Sequence, residues 1–145
     1  MAWQITGIPW IAEHPWAYPA LEVVHTSGIA LLLGSLVVLE LRVWGAVREL
    51  PLAALARLAL PVTATGFALL LASGLLMFAA QPGEFLAHRL FLLKMGLVFA
   101  AGVNALAFHA RGSLARADRT ARAQTLLSTG LWLGAIICGR FIAYA

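Results

Sequence analysis

The sequence predicts an all-α integral membrane protein, an up-down bundle of four transmembrane helices preceded by an N-terminal interfacial arm. Apolar residues make up 62% of the 145-residue chain and charged residues 11%, whereas soluble proteins are roughly 45–50% apolar and about a quarter charged. The mean hydropathy is +0.90. The apolar residues fall into four runs, each about as long as the ~20 residues that a transmembrane helix needs. The sequence therefore predicts a single membrane domain, residues 1–145.

The arm covers residues 1–20. It carries Trp3, Trp10, Trp16 and Tyr18 among three prolines, and it lacks the basic start and small-residue cleavage site of a signal peptide. Indole and phenol rings collect at the headgroup layer of a bilayer. We therefore expect the arm to lie along the membrane surface.

The four apolar runs predict helices at about 21–44, 53–80, 84–109 and 123–144. Pro61 predicts a bend in the second helix, because proline removes a backbone donor and crowds the preceding turn. The triplet Gln81-Pro82-Gly83 predicts a turn before the third helix. The connections are short, which favours neighbouring antiparallel helices.

Arginine distribution predicts the orientation of the bundle. Short loops rich in Lys and Arg stay on the cytoplasmic side, and seven arginines surround the turns after the first and third helices. They are Arg42, Arg48, Arg57, Arg111, Arg116, Arg119 and Arg122. Both termini would then face outward. Because topology explains these arginines, the net charge of +4 gives no reason to expect a nucleic acid partner, and the expected partner is the lipid bilayer.

Two histidines occupy matching positions. His25 lies about 6 Å into the first predicted helix and His88 about 6 Å into the third, at ~1.5 Å per residue. If both helices run inward, the imidazoles are level and can ligate haem iron or hold one metal ion. Gly28 would leave room for a flat ring, and Arg89 and Arg140 would meet haem propionates. The alternative is that each histidine only binds headgroups or water.

Other polar residues within the apolar runs add candidates. Lys94 lies roughly 15 Å into the third helix with no acid at its depth, so it needs carbonyls, water, an anion or a metal centre, or must be neutral. Met77 and Cys138 would join the histidines as soft copper ligands, although core filling is the favoured explanation for each of them. Asn104 is expected to bond to a neighbouring helix.

Small residues four apart recur on several predicted helices, as at Gly130, Gly134 and Cys138. They allow close helix packing within the bundle, or in a homodimer or larger membrane complex. Glu40 and Arg42, at the end of the first helix, are interpreted as an anchor that pairs internally or with the arginine loops.

Parts of the chain resemble known families. Residues 20–110 resemble an uncharacterised family of four-helix bacterial membrane proteins, through residues 39–45, 91–94 and 102–109. More distantly, His25 to Gly34, residues 73–76 and Leu92-Leu93-Lys94 resemble the membrane domain of CopD-type copper proteins. The layout is also similar to the HemJ-type haem-binding oxidases, which implies haem-site roles for His25 and Lys94. In those oxidases a tryptophan often precedes the glycine of the first helix. The present chain differs, since residues 31–33, before Gly34, are all leucine. The resemblance implies a bacterial inner membrane, and the arginine distribution then predicts that both termini are periplasmic.

Three functional hypotheses follow. The first is a membrane-embedded b-type haem protein for electron transfer or a haem-dependent redox step near the outer face, with His25 and His88 as axial ligands, His88 being favoured over Lys94. The second is copper binding or transport through His25, Met77, His88 and Cys138. The third is an accessory or scaffold subunit without a cofactor. Whether the protein is an enzyme stays open.

Overall fold

The computed structural model describes residues 7–144, and these residues form seven α-helices and no strand. The helices are α1 (Pro9–Glu13), α2 (Ala17–Val43), α3 (Leu52–Ala80), α4 (Pro82–Ala87), α5 (Arg89–Arg111), α6 (Ser113–Arg116) and α7 (Arg119–Ile142). Four of these, α2, α3, α5 and α7, are long and apolar enough to cross a membrane. The predicted fold class, a four-helix membrane bundle, is confirmed.

Two of the long helices begin before their apolar runs. Helix α2 starts at Ala17 rather than near residue 21, because Pro19 falls in the first turn, where a missing N–H breaks no helical hydrogen bond. Helix α7 starts at Arg119 rather than near residue 123. There the Asp118 carboxylate accepts from the Ala121 N–H at 2.9 Å and so satisfies one of the free donors of the first turn.

The third apolar run is two helices rather than one helix over 84–109. Helix α4 ends before His88, whose backbone is extended, and α5 begins at Arg89. The His88 ring explains the break, since its Nδ1 accepts a hydrogen bond from the Leu90 N–H at 3.3 Å and so caps α5. His88 therefore precedes the spanning helix and does not lie a turn inside it.

The bundle consists of two closely packed helix pairs. Helix α2 packs along α3, and α5 packs along α7. In the first pair, a Cβ at Gly28 would lie 2.8 Å from the Gly66 carbonyl oxygen, and one at Gly66 would lie 2.6 Å from the Leu32 nitrogen. Only glycine permits so close an approach of two backbones. Gly28 thus serves helix packing, and not the accommodation of a flat ring that we expected.

The two pairs meet mainly through α2 and α7. The Thr129 hydroxyl donates to the Glu40 carboxylate, and Trp44 Nε1 donates to Thr125 Oγ1 at 2.9 Å. Both bonds lie near the end of the bundle that carries the loops at 44–51 and 112–118, which we call the loop end. We call the opposite end, to which the described chain ends belong, the terminal end.

The arm docks on the terminal end of α3. The Ile8 N–H donates to the Ala79 carbonyl at 2.7 Å, which satisfies one of the free acceptors at a helix C-terminus. Ile11 is buried, whereas Trp10 and Trp16 are exposed, as suits side chains at a bilayer surface. Trp3 lies outside the described residues, and residues 17–20 of the expected arm belong to α2.

The loop between α5 and α7 is held by an ion pair. Arg111 donates to both oxygens of Asp118, at 3.1 and 2.5 Å. This guanidinium, together with the Ala121 N–H, lowers the pKa of Asp118 from 3.8 to about 2. The carboxylate therefore stays ionised at physiological pH and caps α7 as an anion, which the positive end of the helix dipole favours.

Candidate functional site

His25 is held by a hydrogen bond between the two helices of the first pair. It is the ninth residue of α2, about 12 Å along it at ~1.5 Å per residue, and its side chain is half-buried. Its Nδ1 lies 3.0 Å from the Ser73 hydroxyl on α3. A Cβ at Gly74 would lie 3.5 Å from the ring carbon Cε1, so the imidazole rests directly on the α3 backbone.

The hydrogen bonds of Ser73 identify the tautomer of His25. The Ser73 hydroxyl has one proton to donate, and it points to the carbonyl of Leu69 at 2.6 Å, with that of Leu70 at 3.3 Å. We assign that proton to the Leu69 carbonyl, which is the nearer acceptor, so the hydroxyl accepts from His25 and Nδ1 carries the ring proton. The neutral ring then presents an unprotonated Nε2, the lone pair that a metal or a proton donor would use.

Lys94 approaches this histidine from the second helix pair. It is the sixth residue of α5 and is half-buried. Its Nζ passes over Gly139 of α7, where a Cβ would lie 3.2 Å from the nitrogen. The ammonium is close enough to His25 and to Cys138 to interact with both electrostatically. Gly139 therefore provides the space that lets the lysine head reach the interior.

Each of the four long helices contributes one residue to this region. The residues are His25 from α2, Ser73 from α3, Lys94 from α5 and Cys138 from α7, and we call them the His25 site. Ser73 and Cys138 are buried, at 1% and 7% exposure. Ser73 was not a candidate from sequence, because a hydroxyl that bonds to its own helix is common in membrane spans. Only the packing of α2 on α3 gives it a histidine partner.

His88 is not brought into the His25 site by any contact of the described residues. It lies between α4 and α5 and caps α5. The predicted pairing with His25 depended on both histidines lying about 6 Å inside their helices, and His88 does not. In addition, α2 packs on α3 and α7 rather than along α5. The expectation that the two imidazoles lie about a turn inside neighbouring helices is therefore wrong.

The remaining candidates lie around the terminal end. Arg89 is exposed, and Arg140 is exposed and engaged by its own helix, donating to the Tyr144 hydroxyl at 2.8 Å. Met77 is half-buried on α3. Across residues 7–144, no group of three or more His, Cys, Asp or Glu side chains is arranged to hold a metal ion.

A second polar region, which we call the Glu40 cavity, lies toward the loop end. It is a cavity of about 50 Å³ between all four long helices. Its polar lining is Glu40, Asn104, His109, Gln124, Thr125 and Ser128. Glu40 does not pair with Arg42 as the anchor interpretation expected, since Arg42 donates to the Leu50 carbonyl at 2.8 Å. Asn104 does bond to a neighbouring helix, donating to the Gln124 carbonyl at 2.9 Å.

The sequence did contain a signal for this cavity. Gln124 and Ser128, and likewise Thr125 and Thr129, are four residues apart, and such pairs share one face of a helix. Helix α7 therefore carries a polar stripe in its first half, which has to face a polar partner within the bundle. Glu40 is that partner, but only the packing of α2 against α7 shows it.

Comparisons with known proteins add no relative, since no family model, no curated protein and no solved structure matches the chain. The fold and the two polar regions define a four-helix, multi-pass membrane protein with polar groups enclosed at two levels of the bundle. The functional argument therefore depends on the side chains themselves.

Proposed function

We propose that this protein is a membrane-embedded b-type haem protein, in which His25 Nε2 is an axial ligand of the iron. The observation that supports this is the hydrogen bond from His25 Nδ1–H to Ser73 Oγ at 3.0 Å. Histidines that bind metals usually donate the other ring N–H to an acceptor, which sets the tautomer and orients the ring. In His25 the same bond also connects α2 to α3.

Lys94 is the better candidate for a second protein ligand to the iron. Its head group extends into the interior past Gly139 and interacts electrostatically with His25, and as a neutral amine it would have a lone pair for iron. His88 is the second candidate. Its Nδ1 accepts a hydrogen bond from the Leu90 N–H, so its Nε2 is the nitrogen that could bind the iron. The resemblance to HemJ-type oxidases also implies His25 and Lys94.

A haem at this position would supply one-electron redox chemistry. The protein's own contribution would be to hold the iron through His25 Nε2, to orient that ring by the bond from Nδ1 to Ser73, and to bring the neutral amine of Lys94 toward the iron. Arg89 and Arg140 would reach the propionates from the terminal end, where both are exposed. The reaction served would be electron transfer or a haem-dependent oxidation near that end.

The copper hypothesis has less support. Copper(I) favours several soft ligands around one ion, and within residues 7–144 no group of three or more His, Cys, Asp or Glu side chains is arranged to hold a metal ion. The scaffold hypothesis predicts that no cofactor binds at all. It becomes the better description if the experiment below finds neither haem nor copper.

The visible absorption spectrum of the detergent-purified protein, reconstituted with haem where needed, tests the proposal. We expect a Soret band and sharp α and β bands on reduction, lost in His25→Ala. Lys94→Leu, which cannot ligate iron, should change the spin state, and His14→Ala, which alters an exposed histidine of the arm, should leave the spectrum unchanged. A haem spectrum that survives in His25→Ala, or a wild-type protein that binds no haem, would overturn the proposal.

A further inference from the structure

The Glu40 cavity has the size and the lining of a small hydrated site. Its volume of about 50 Å³ exceeds the ~10–15 Å³ that one ordered water requires. All four long helices border it, and its polar groups come from three of them, α2, α5 and α7. Cavities without polar groups in protein interiors stay dry, whereas water enters one where two or more polar partners are available.

The Glu40 carboxylate lines this cavity, and among the described residues it forms no ion pair with a Lys or Arg side chain. Within residues 7–144, the ion pair formed is Arg111–Asp118. Arg42 bonds to the Leu50 carbonyl, and the Arg122 guanidinium lies over the Trp44 ring at 5.6 Å from its centroid. An anion enclosed by a helix bundle in a membrane is costly unless it is paired or hydrogen-bonded.

The remaining polar groups offer oxygen atoms. Thr129 donates its hydroxyl proton to the Glu40 carboxylate, and the Ser128 hydroxyl lies in the lining of the same cavity. Asn104 uses its Nδ2 for the Gln124 carbonyl at 2.9 Å, which leaves its Oδ1 as an acceptor. One carboxylate with amide and hydroxyl oxygens is a ligand set for a hard cation rather than a soft one.

We infer that the Glu40 cavity is a binding site for a small hard monovalent cation, either Na⁺ or a proton carried on water, which neutralises Glu40 between the two helix pairs. His109, which lines the cavity and is exposed near the end of α5, marks the side from which the cation enters, the loop end. Among the lining residues Glu40 and His109 are the titratable ones, the α3 lining is apolar, and Arg122 of α7 lies over the Trp44 ring outside the lining. This inference does not depend on haem binding at the His25 site.

The test is the thermal unfolding of the full chain in detergent, with NaCl replacing choline chloride at constant ionic strength. A ligand that binds only the folded state raises Tm with the logarithm of its concentration. We expect the Tm of the wild-type protein to rise by several degrees with Na⁺, or with acidification in the absence of Na⁺, and the two arms distinguish the metal from the proton. Glu40→Gln should respond to neither.

Three further variants serve as controls. Glu49→Gln removes an exposed carboxylate in the loop and should respond as the wild type does. His109→Gln should keep the response, which excludes this histidine as the titrating group. Ser128→Ala keeps the charge but removes one oxygen, so it should weaken the response without abolishing it, even if Glu40→Gln fails to fold. A wild-type Tm that is insensitive to both cations, or a full response in Glu40→Gln, would overturn the inference.

Discussion

At the scale of single residues, the direction of one hydroxyl proton determines what His25 can do. Ser73 donates to a carbonyl of its own helix, so it can only accept from the ring. A serine that bonds back to its helix is usually only a packing residue. Here the same local bond makes Ser73 an acceptor for His25, 48 positions away in the chain. Because Nδ1 of His25 then carries the ring proton, Nε2 has the free lone pair.

Ser73→Ala is predicted to change the tautomer equilibrium of the His25 imidazole. Without the acceptor at 3.0 Å, Nδ1 loses the partner that keeps its proton, so both neutral tautomers should become populated. Nitrogen-15 NMR of histidine-labelled protein measures the ratio directly. Ser27→Ala is the matched control, since Ser27 donates to the Val23 carbonyl of its own helix and does not bond to His25. An unchanged tautomer in Ser73→Ala would contradict the assignment.

At the scale of helices, glycine controls how closely the first pair packs. Gly28 and Gly66 face one another where α2 crosses α3, and a methyl group on either would meet backbone atoms at 2.8 or 2.6 Å. Backbone atoms cannot move aside as the end of a side chain can. The closeness of the two helices also places Ser73 within reach of His25, so the site depends on a contact between the helices that carry it.

Gly66→Ala is predicted to destabilise the protein and to disturb the His25 site. Forcing a methyl group into a packed interface costs about 1–3 kcal/mol, and the helices can relieve the clash only by separating. Gly34→Ala is the matched control on α2, because a Cβ there meets no atom within 4 Å, and alanine favours a helix over glycine by roughly 0.5–1 kcal/mol. Thermal unfolding in detergent should show a lower Tm for Gly66→Ala and an equal or higher Tm for Gly34→Ala. Equal losses in both would contradict the packing argument.

At the scale of the whole molecule, polar groups are arranged in two regions on either side of an aromatic contact. Phe67 of α3 and Trp132 of α7 meet edge to face with centroids 6.4 Å apart. The His25 site lies toward the terminal end and the Glu40 cavity toward the loop end. If the arginine-rich loops are cytoplasmic, as the positive-inside rule predicts, the two regions face opposite sides of the membrane.

The orientation of the bundle can be measured by labelling single cysteines. In a Cys138→Ser background, Glu13→Cys in the arm should react with a membrane-impermeant maleimide in intact cells, whereas Arg116→Cys in α6 should react only after the cells are permeabilised. Both parent residues are exposed, so protection would come from the membrane. The reverse pattern would show that the termini are cytoplasmic, and it would reverse the sides assigned to the two regions.

Part of this structure could be predicted from local sequence. Four apolar runs of the required length determine four spanning helices, because a bilayer offers a backbone few alternatives to helical hydrogen bonding. The arginine clusters also predict an orientation, because short loops rich in Lys and Arg stay on the cytoplasmic side. This prediction does not depend on how the helices pack. The bond of Asn104 to a neighbouring helix was also expected, since a buried amide in a span requires a partner.

The break at His88 could not be predicted from the apolar run. A histidine is compatible with a helix interior, and its role as a cap depends on the ring turning back to the Leu90 N–H. The pairing of Glu40 with Thr129 and of His25 with Ser73 depends on which helices are neighbours. Apolar periodicity does not determine this, because lipid and protein are nearly equivalent surroundings for an apolar side chain.

The sequence by itself therefore determined the number of spanning helices, their approximate limits and the short list of polar residues that need partners. Tertiary structure alone decided the partners. It joined α2 to α3 through two facing glycines, directed the Lys94 head group over Gly139 into the bundle, and placed Glu40 at a cavity instead of leaving it as an anchor. The physical reason is that a polar group in a membrane must be satisfied, while close backbone contact determines which group is near enough to satisfy it.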